Sequence, residues 1–585
     1  MVEDTVHVSK QIEAVLDYHS RTKHHLHRFA ASLGYLDWAT QPAPFRTFDG
    51  AQIIDLPISA GQLASARYRD LCSPGGVVAL PVDRDSVAAL FELALGLSAW
   101  KQYGETRWAL RCNPSSGNLH PTEGYAVLPG IPGLDAGVYH YLSRDHCLER
   151  RWVPGREGAE RLTGLLPGSL LVGLSSIHWR EAWKYGERAF RYCQHDIGHA
   201  IATVRYAAAA LGWRATLLEV SDSVIADVLG LSREGDFSGI DKADREHPGT
   251  LLLVGPGSSR REDKGASTVE IPDIREVVRA GAWSGRPNSL SQDHVRWPVI
   301  DAVAQAAWRS GGATSVEIPV AGQPEIAGVG PRLNNSSPTA AGLIQQRRSA
   351  VALDDSTSIP AHTFYEMLDR LLPRNGVAPW DALPWRPHVH CGIFVHRVDG
   401  LAPGLYLFLR SPDSETKVRA ALQSGFLFER PDGTPEHLQL YRLVHGDFRQ
   451  QAQVVSCQQK IAAAGAFSLG MIAEFRGSLL SRGAWWYRSL FWEAGVLGQV
   501  LYLEAEAAGI RGTGIGCYFD DAFHRILGLQ DDQFQSLYHF TIGSPVESRR
   551  STTGSPSRAS HTMKPSTCGA YPAGGVSREK IRVTS

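Results

Sequence analysis

The 585-residue chain is predicted to be an α+β protein built as two copies of one unit. Two observations carry that reading. The first is a set of four short matches that recur in the same order, at a spacing of roughly 270–300 residues. Leu80-Pro81 ahead of Ser86–Leu97 is answered by Ile359-Pro360 ahead of Phe364–Leu372, and Gly137–Tyr141 by Gly404–Phe408. Asp196-Ile-Gly198 is answered by Glu493-Ala-Gly495, and Leu253–Arg261 by Thr541–Arg550. The second observation is that each copy runs through the same periodicities in the same order. Length agrees, because a single core stops growing near about 250–300 residues.

In the first copy the sequence predicts a helix over 82–98 and strands within 123–142. A long helix over 186–211, a shorter one over 221–230 and a strand over 250–255 follow. The second copy repeats them at 361–372, 390–409, 484–508, 520–528 and 538–543. The long helices have Ala-rich faces suited to close helix packing. Residues 1–60 form an extension, with a helix expected within Asp4–Leu33 and a Pro-rich wrap at Gln41–Phe45. The expected domains are 61–262 and 341–550. The linker 263–340 is polar and Gly/Pro-rich, with one helix near Val299–Trp308, and the tail 551–585 has the composition of disorder.

Composition narrows the function classes. Hydrophobic content of 43% with 20% charged residues is ordinary for a globular protein. A net charge of −1 makes no electrostatic case for nucleic acid or an anionic membrane as partner. No uninterrupted apolar run approaches the ~20 residues of a membrane helix, and the best candidate, Ala200–Trp213, carries Arg205. The first residues, M-V-E-D-T-V-H, have neither a basic nor an apolar signal region. Eight cysteines without a C-x-x-C pair make neither a zinc pattern nor a disulfide framework, so a reduced, cytoplasmic protein is expected. His19, His24, His25 and His27 are joined by no carboxylate or cysteine, and no metal is expected.

The stretch with most chemical content is Arg111–Val127, R-C-N-P-S-S-G-N-L-H-P-T-E-G-Y-A-V. A polar turn at 113–118, broken by Pro and Gly, runs into the strand-like Gly124–Leu128. Such a turn brings hydroxyls, an amide and bare backbone to a flat polar ring, and composition alone equally allows a capped surface turn. P-S-S-G-N-L-x-P resembles the loop that nitroreductase-type flavoproteins lay against the pyrimidine edge of FMN. Arg111 before it and Tyr125 after it are more similar to the SagB/ThcOx-type, azoline-dehydrogenase branch of that superfamily. The pattern Tyr18-His19, Thr22-Lys23-His24, Asp37-Trp38, Gln41-Pro42 resembles the leader found ahead of SagB-type domains. Members of the superfamily are usually homodimers with FMN at the subunit interface. The resemblance therefore implies a tandem nitroreductase-like (FMN-dependent) fold forming an intrachain pseudo-dimer.

The same resemblance assigns residues. Gln346-Arg347-Arg348-Ser349 is similar to the R-R-S-x-R-x-F start of the family, whose Arg and Ser bind the FMN phosphate. A doubly charged phosphate calls for guanidinium forks and a hydroxyl. The family's later basic residue is Val351 here; Arg549, beside Arg550, resembles its closing basic pair. Gly512–Cys517 (G-T-G-I-G-C) lacks the strand–turn–helix context and the acidic residue of a dinucleotide fingerprint. It resembles the family's Gly-rich bend, where Gly516 and Cys517 would bring backbone to the flavin edge.

The loop residues Pro114, Ser115, Ser116 and Asn118 face Trp380–Trp385 at the matching place in the second copy, which has no serine or asparagine. The first copy's own phosphate candidate, Arg67-Tyr68-Arg69-Asp70, lacks a serine. One composite site is therefore expected, made from what each copy retains. Over it should lie Lys184-Tyr185. The resemblance makes these two the catalytic pair, needed for proton removal during substrate oxidation, and the second copy has Ser481-Arg482 there. The implied activity is FMN-dependent oxidation of a peptide-borne azoline (thiazoline or oxazoline) or similar substrate. The resemblance further implies reoxidation by O₂, since no nicotinamide site is recognisable. Expected partners are a peptide or small-molecule substrate and other peptide-modifying enzymes. The alternatives are an NAD(P)H-dependent nitro or quinone reductase, and a flavin-less partner in a peptide-modifying complex.

Overall fold

The computed structural model describes residues 2–104, 106–256, 271–311, 337–546 and 552–554. After helix α1 (Val2–Arg21), the first unit opens on α2 (Arg84–Ala94). Asp83 starts α2 by accepting the Ser86 N–H at 2.9 Å, while Ser86 Oγ accepts the Asp83 N–H at 2.9 Å. A hairpin of β1 (Leu97–Tyr103) and β2 (Thr106–Arg111) follows. Then come β3 (Thr122–Ile131), β4 (Leu134–Leu142), β5 (Cys147–Val153) and β6 (Leu170–Ser176). Helices α3 (His178–Tyr185) and α4 (Ala189–Ala210), β7 (Trp213–Leu217), α5 (Asp222–Leu229) and β8 (His247–Pro256) complete the unit.

The second unit begins with α6 (Ala340–Gln346) and α7 (Ala361–Arg370). It continues through β9 (Val389–Val395), β10 (Gly404–Leu409), β11 (Gln439–His445) and β12 (Phe467–Glu474). It ends with α8 (Trp486–Ala507), β13 (Arg511–Ile515), α9 (Asp520–Leu527) and β14 (Phe534–Gly543).

Sheet topology makes the duplication explicit. The first sheet orders its strands β5-β4-β3-β6-β8-β7, and the second β11-β10-β9-β12-β14-β13, every neighbouring pair antiparallel. Each position in one order has its counterpart in the other. The first sheet gains Gln52–Asp55 and Ala282–Trp283, both paired to β5. The extension and part of the polar segment after the first copy are thus built onto the first unit.

All residues of α4 are buried, and it runs against α8 at the seam between the units. The seam needs glycine on both sides. A Cβ on Gly198 would lie 2.3 Å from the Trp492 carbonyl oxygen, and one on Gly495 2.3 Å from that of His195. One continuous core covers this seam and reaches into both units. Gly198→Val is expected to destabilise the chain by about 1–3 kcal/mol through overpacking against backbone that cannot yield, read as a shift in the urea midpoint.

Two expectations differ from the fold. The helix expected within Asp4–Leu33 occupies Val2–Arg21, and the remainder of that stretch crosses to the second unit. There the His24 N–H donates to Asp520 Oδ2 at 3.0 Å, and Lys23 Nζ pairs with Asp521 at 2.8 Å. Of the run Gly512–Cys517, expected as a Gly-rich bend, Gly512–Ile515 lies in the edge strand β13 and Gly516-Cys517 follow it. Glycine is required there because a Cβ on Gly514 would lie 1.9 Å from Tyr538 Oη and one on Gly512 2.5 Å from the Phe540 ring of the paired strand.

Candidate functional site

Loop 113–118 stands between β2 and β3, at the seam where the two units meet. Its backbone turns through left-handed conformations at Gly117 (φ 60°), Asn118 (φ 60°) and His120 (φ 52°), and asparagine and glycine bear these at least cost. Ser115 Oγ accepts the His120 N–H at 2.8 Å, and Asn118 Nδ2 donates to the Ala109 carbonyl at 2.9 Å. The Ser116 N–H donates to Asp196 Oδ1 of α4 at 3.2 Å. Pro114 is buried, and the Asn113 side chain is 1% exposed with both polar atoms unpartnered. An orphaned primary amide offers N–H donors beside a carbonyl acceptor, the pattern that an imide-like ring edge requires.

Lys184 and Tyr185 end α3 directly beneath this loop. A Cβ on Gly117 would lie 2.6 Å from Tyr185 Oη and 3.1 Å from Lys184 Nζ. Both side chains are half-buried. Burial pushes the Lys184 ammonium below its ordinary range, while Glu181 pulls it back; burial raises the Tyr185 phenol well above its own. Tyr185 packs on Tyr192 with ring centroids 4.5 Å apart, and Tyr192 Oη donates to the Gly516 carbonyl at 3.2 Å. The loop and the pair come from the first unit, Gly516 from the second.

Arg347 and Arg348 lie at the C-terminal end of α6, where cations also suit the helix dipole. Arg347 is 4% exposed; its Nε donates to the Cys112 carbonyl at 3.3 Å and its Nη2 to that of Arg111 at 3.2 Å. It therefore braces the start of the serine loop across the unit boundary. Arg348 Nη2 donates to the Ser98 carbonyl at 3.2 Å. Burial and the neighbouring Arg347 push Arg348 down to about 10. Lys101 of β1 is lowered by burial and then by Arg348 and Arg511. Arg348, Lys101 and Arg511 thus share a field in which Glu506, 3.6 Å from Arg511, is the nearby carboxylate. Such a surplus of positive charge suits an anion of more than one charge. Ser349 Oγ is within 2.9 Å of Tyr502 Oη, which accepts the Gly514 N–H at 2.9 Å. Arg549 lies outside the described residues.

The Gly-rich segment meets the site in an unexpected way. The group that requires glycine at 516 is the Tyr192 ring, which a Cβ there would approach to 2.3 Å. Cys517 turns its sulfur toward Cys457 at 2.7 Å, and its carbonyl accepts Gln459 Nε2 at 3.1 Å. Around the cleft, then, Arg347, the serine loop, Lys184-Tyr185, Tyr192, Gly516 and Tyr502 form a closed succession of contacts drawn from both units.

The matching place in the second copy is occupied by large buried side chains. Trp380 and Trp385 are buried, and the Arg410 guanidinium lies 4.3 Å above the Trp380 ring while pairing with Glu493. Arg205 forks onto Asp381 at 2.7 and 2.9 Å. Arg482, where the first copy has Tyr185, covers Trp486 at 4.2 Å.

This architecture has a solved counterpart. A crystal structure of a candidate nitroreductase from Anabaena variabilis superposes with a TM-score of 0.64 at 21% identity, over 91% of this chain and 99% of that one. The chain has the nitroreductase fold. Its two units form the pseudo-dimer within one polypeptide that the repeat implied. Among curated proteins, the trifolitoxin-processing protein TfxB of Rhizobium leguminosarum bv. trifolii is 34% identical over 129 residues, 20% of this chain and 35% of that protein. A candidate nitroreductase of Methanocaldococcus jannaschii is 27% identical over 106 residues, 17% of this chain and 52% of that protein. The chain thus matches about a third to a half of the length of these curated relatives. No family model matches it. The nitroreductase superfamily with its SagB-type branch, the resemblance read from the serine loop, is what these similarities support. Among the described residues no helix is long and apolar enough to cross a membrane.

Sequence reasoning passed over Asn113 as a ligand, and also Lys101, Arg511, Glu181 and Asp196. Lys101 sits in a hairpin whose two alternating runs, L-S-A-W-K-Q-Y and T-R-W-A-L-R, flank a Gly-Glu turn, and that alternation was the available signal. Glu181 carried none, because a Glu three residues before a Lys reads as a solvated helix pair, and Asp196 stood out only as a member of the repeat.

Proposed function

We propose that the chain is an FMN-dependent oxidoreductase that oxidises a peptide-borne azoline or a closely similar ring. The observation that carries this is the abutment of Lys184 and Tyr185 on the Ser115–Asn118 loop at the seam between the units. The residues present fit FMN. The Asn113 amide is orphaned and buried, the Gly516 backbone flanks the cleft, and Arg348, Lys101 and Arg511 supply the charge that a phosphate needs. In this reading Arg347, Arg348 and Ser349 form the phosphate end, and Ser115, Ser116 and Asn118 line the pyrimidine edge. FMN, when bound, supplies a two-electron acceptor at N5.

The chain supplies the proton chemistry. Lys184 Nζ, driven toward its neutral form by burial, accepts the proton that leaves the ring carbon next to nitrogen. Tyr185, held protonated by burial, donates a hydrogen bond to the substrate and orients it. The half-exposed pair is open toward solvent, as entry of a ring tethered to a peptide requires. Likeness to a relative named for toxin processing supports a substrate modified as part of a larger molecule, with other modifying enzymes as partners.

The test is to incubate the yellow purified protein, in air, with a peptide carrying one thiazoline. A mass decrease of two hydrogen atoms with return of the flavin colour is expected. Steady NAD(P)H consumption with menadione, and no change in the peptide, would instead make it a nitro or quinone reductase. A colourless preparation that takes up no FMN would make it a non-catalytic partner.

A further inference from the structure

We propose that Glu181 and Asp196, joined through the Ser115 hydroxyl behind the serine loop, carry one proton between them, and that the single negative charge left on them sets the proton affinity of Lys184 Nζ. This rests on the reading above that Lys184 is the base, and it makes the acids the group that tunes that base.

Glu181 stands one helical turn before Lys184 on α3, and Asp196 faces it from α4. They are 0% and 1% exposed. Neither Glu181 oxygen has a hydrogen bond of normal geometry, and Asp196 Oδ2 has none. Asp196 Oδ1 receives the Ser116 N–H at 3.2 Å and Ser116 Oγ at 3.5 Å. The Ser115 hydroxyl lies against both acids, yet it has one proton to give. The cation acting on Glu181 is Lys184, itself pushed toward neutrality. The other titratable groups facing the pair are Tyr185 on the end of α3, Cys193 on α4 and Tyr538 on β14. All three are held neutral by burial. None of them compensates a second negative charge.

Two buried carboxylates so placed cannot both ionise. Burial, reinforced by Asp196, raises Glu181 well above the carboxylate range, and burial lifts Asp196 to about 7. A proton on the pair is therefore mobile near neutral pH. The ammonium formed at Lys184 is stabilised by the single negative charge left on the pair, and its proton then leaves to solvent from the half-buried Lys184. No electrons move in these transfers.

The second copy shows that the fold itself does not demand this arrangement. Glu493, the counterpart of Asp196, is fully matched by Arg410 and by the N–H groups of His388 and Val389, each at 3.1 Å. Ser478, at the place of Glu181, spends its hydroxyl on the Glu474 carbonyl at 2.6 Å. The same helix pair is thus built elsewhere in this chain with no spare acid.

The test uses infrared difference spectroscopy on the FMN-loaded protein, with no substrate present. A carbonyl band from a buried protonated carboxyl is expected at pH 7, and it should disappear in both Glu181→Gln and Asp196→Asn. With a thiazoline peptide, E181Q should move the acid limb of the kcat/KM profile by at least one pH unit, with KM little changed. Glu181→Asp should restore part of the profile. Absence of the band in the wild type, or its persistence in both variants, overturns the pair. A protein with the expected band that leaves azolines untouched retains the pair and loses the functional reading. One that oxidises azolines without the band does the reverse.

Discussion

Replacing Lys184 with alanine is expected to lower azoline oxidation by about 10²–10⁴-fold, the usual worth of a positioned general base, while FMN stays bound. The two effects separate because the lysine sits on the substrate side of the serine loop. It reaches Gly117 and the Tyr185 ring, at 5.2 Å from the centroid, and not the basic cluster around Arg348. Its placement owes nothing to its own charge. Helix α3 ends at Gly186 (φ 55°), where a Cβ would lie 2.2 Å from the Ala31 carbonyl oxygen. The N-terminal segment therefore clamps the end of the helix whichever residue occupies 184. Rate should rise with pH through the lysine's lowered pKa, because only the neutral amine accepts a proton. The measurement is single-turnover loss of flavin absorbance with a thiazoline peptide, across pH, for wild type and K184A. Equal rates for the two proteins would remove Lys184 from the reaction.

Much of the fold was legible because its strongest signals are periodic. The two long apolar helices were expected over 186–211 and 484–508 and are Ala189–Ala210 and Trp486–Ala507. Repeated short matches disclosed the second unit because duplication preserves order even where side chains drift. Tertiary contacts decided what periodicity could not. The run S-V-A-A-L-F-E-L-A-L-G-L reads as unbroken helix, yet α2 ends at Ala94 and β1 begins at Leu97, with Gly96 between them. A Cβ on Gly96 would strike the Glu92 carbonyl at 2.4 Å. Resemblance pointed to the serine loop, the Lys-Tyr pair and the Arg pair, and the structure places all three at the seam between the units. What it could not show is which groups are left without partners there. Asn113, Glu181 and Asp196 are ordinary polar residues until the packing of α3, α4 and the loop removes their water.

Arg347→Ala is expected to weaken FMN binding by about 10–100-fold, whereas Arg67→Ala should leave it unchanged. The estimate follows from the loss of hydrogen bonds by a charged group, about 1.5–3 kcal/mol, at 1.4 kcal/mol per tenfold. Arg347 holds the backbone of Arg111 and Cys112, on which Asn113 and the serines are hung, and lies 5.0 Å over the Tyr502 ring that receives the Gly514 N–H. Its removal therefore loosens the loop, the Gly-rich strand and the phosphate end together. Arg67 stands at the other end of α6, bridged to Thr339, about 10 Å away at 1.5 Å per helical residue. The pseudo-equivalent cleft on that side is filled by Trp380, Trp385 and Arg410. Fluorescence titration of the two apoproteins with FMN separates the cases. Equal loss in both variants, or two FMN bound per chain, would mean that each unit retains a working cleft. The asymmetry between the copies, serine loop in one and Arg-Arg-Ser in the other, would then have no bearing on where flavin binds.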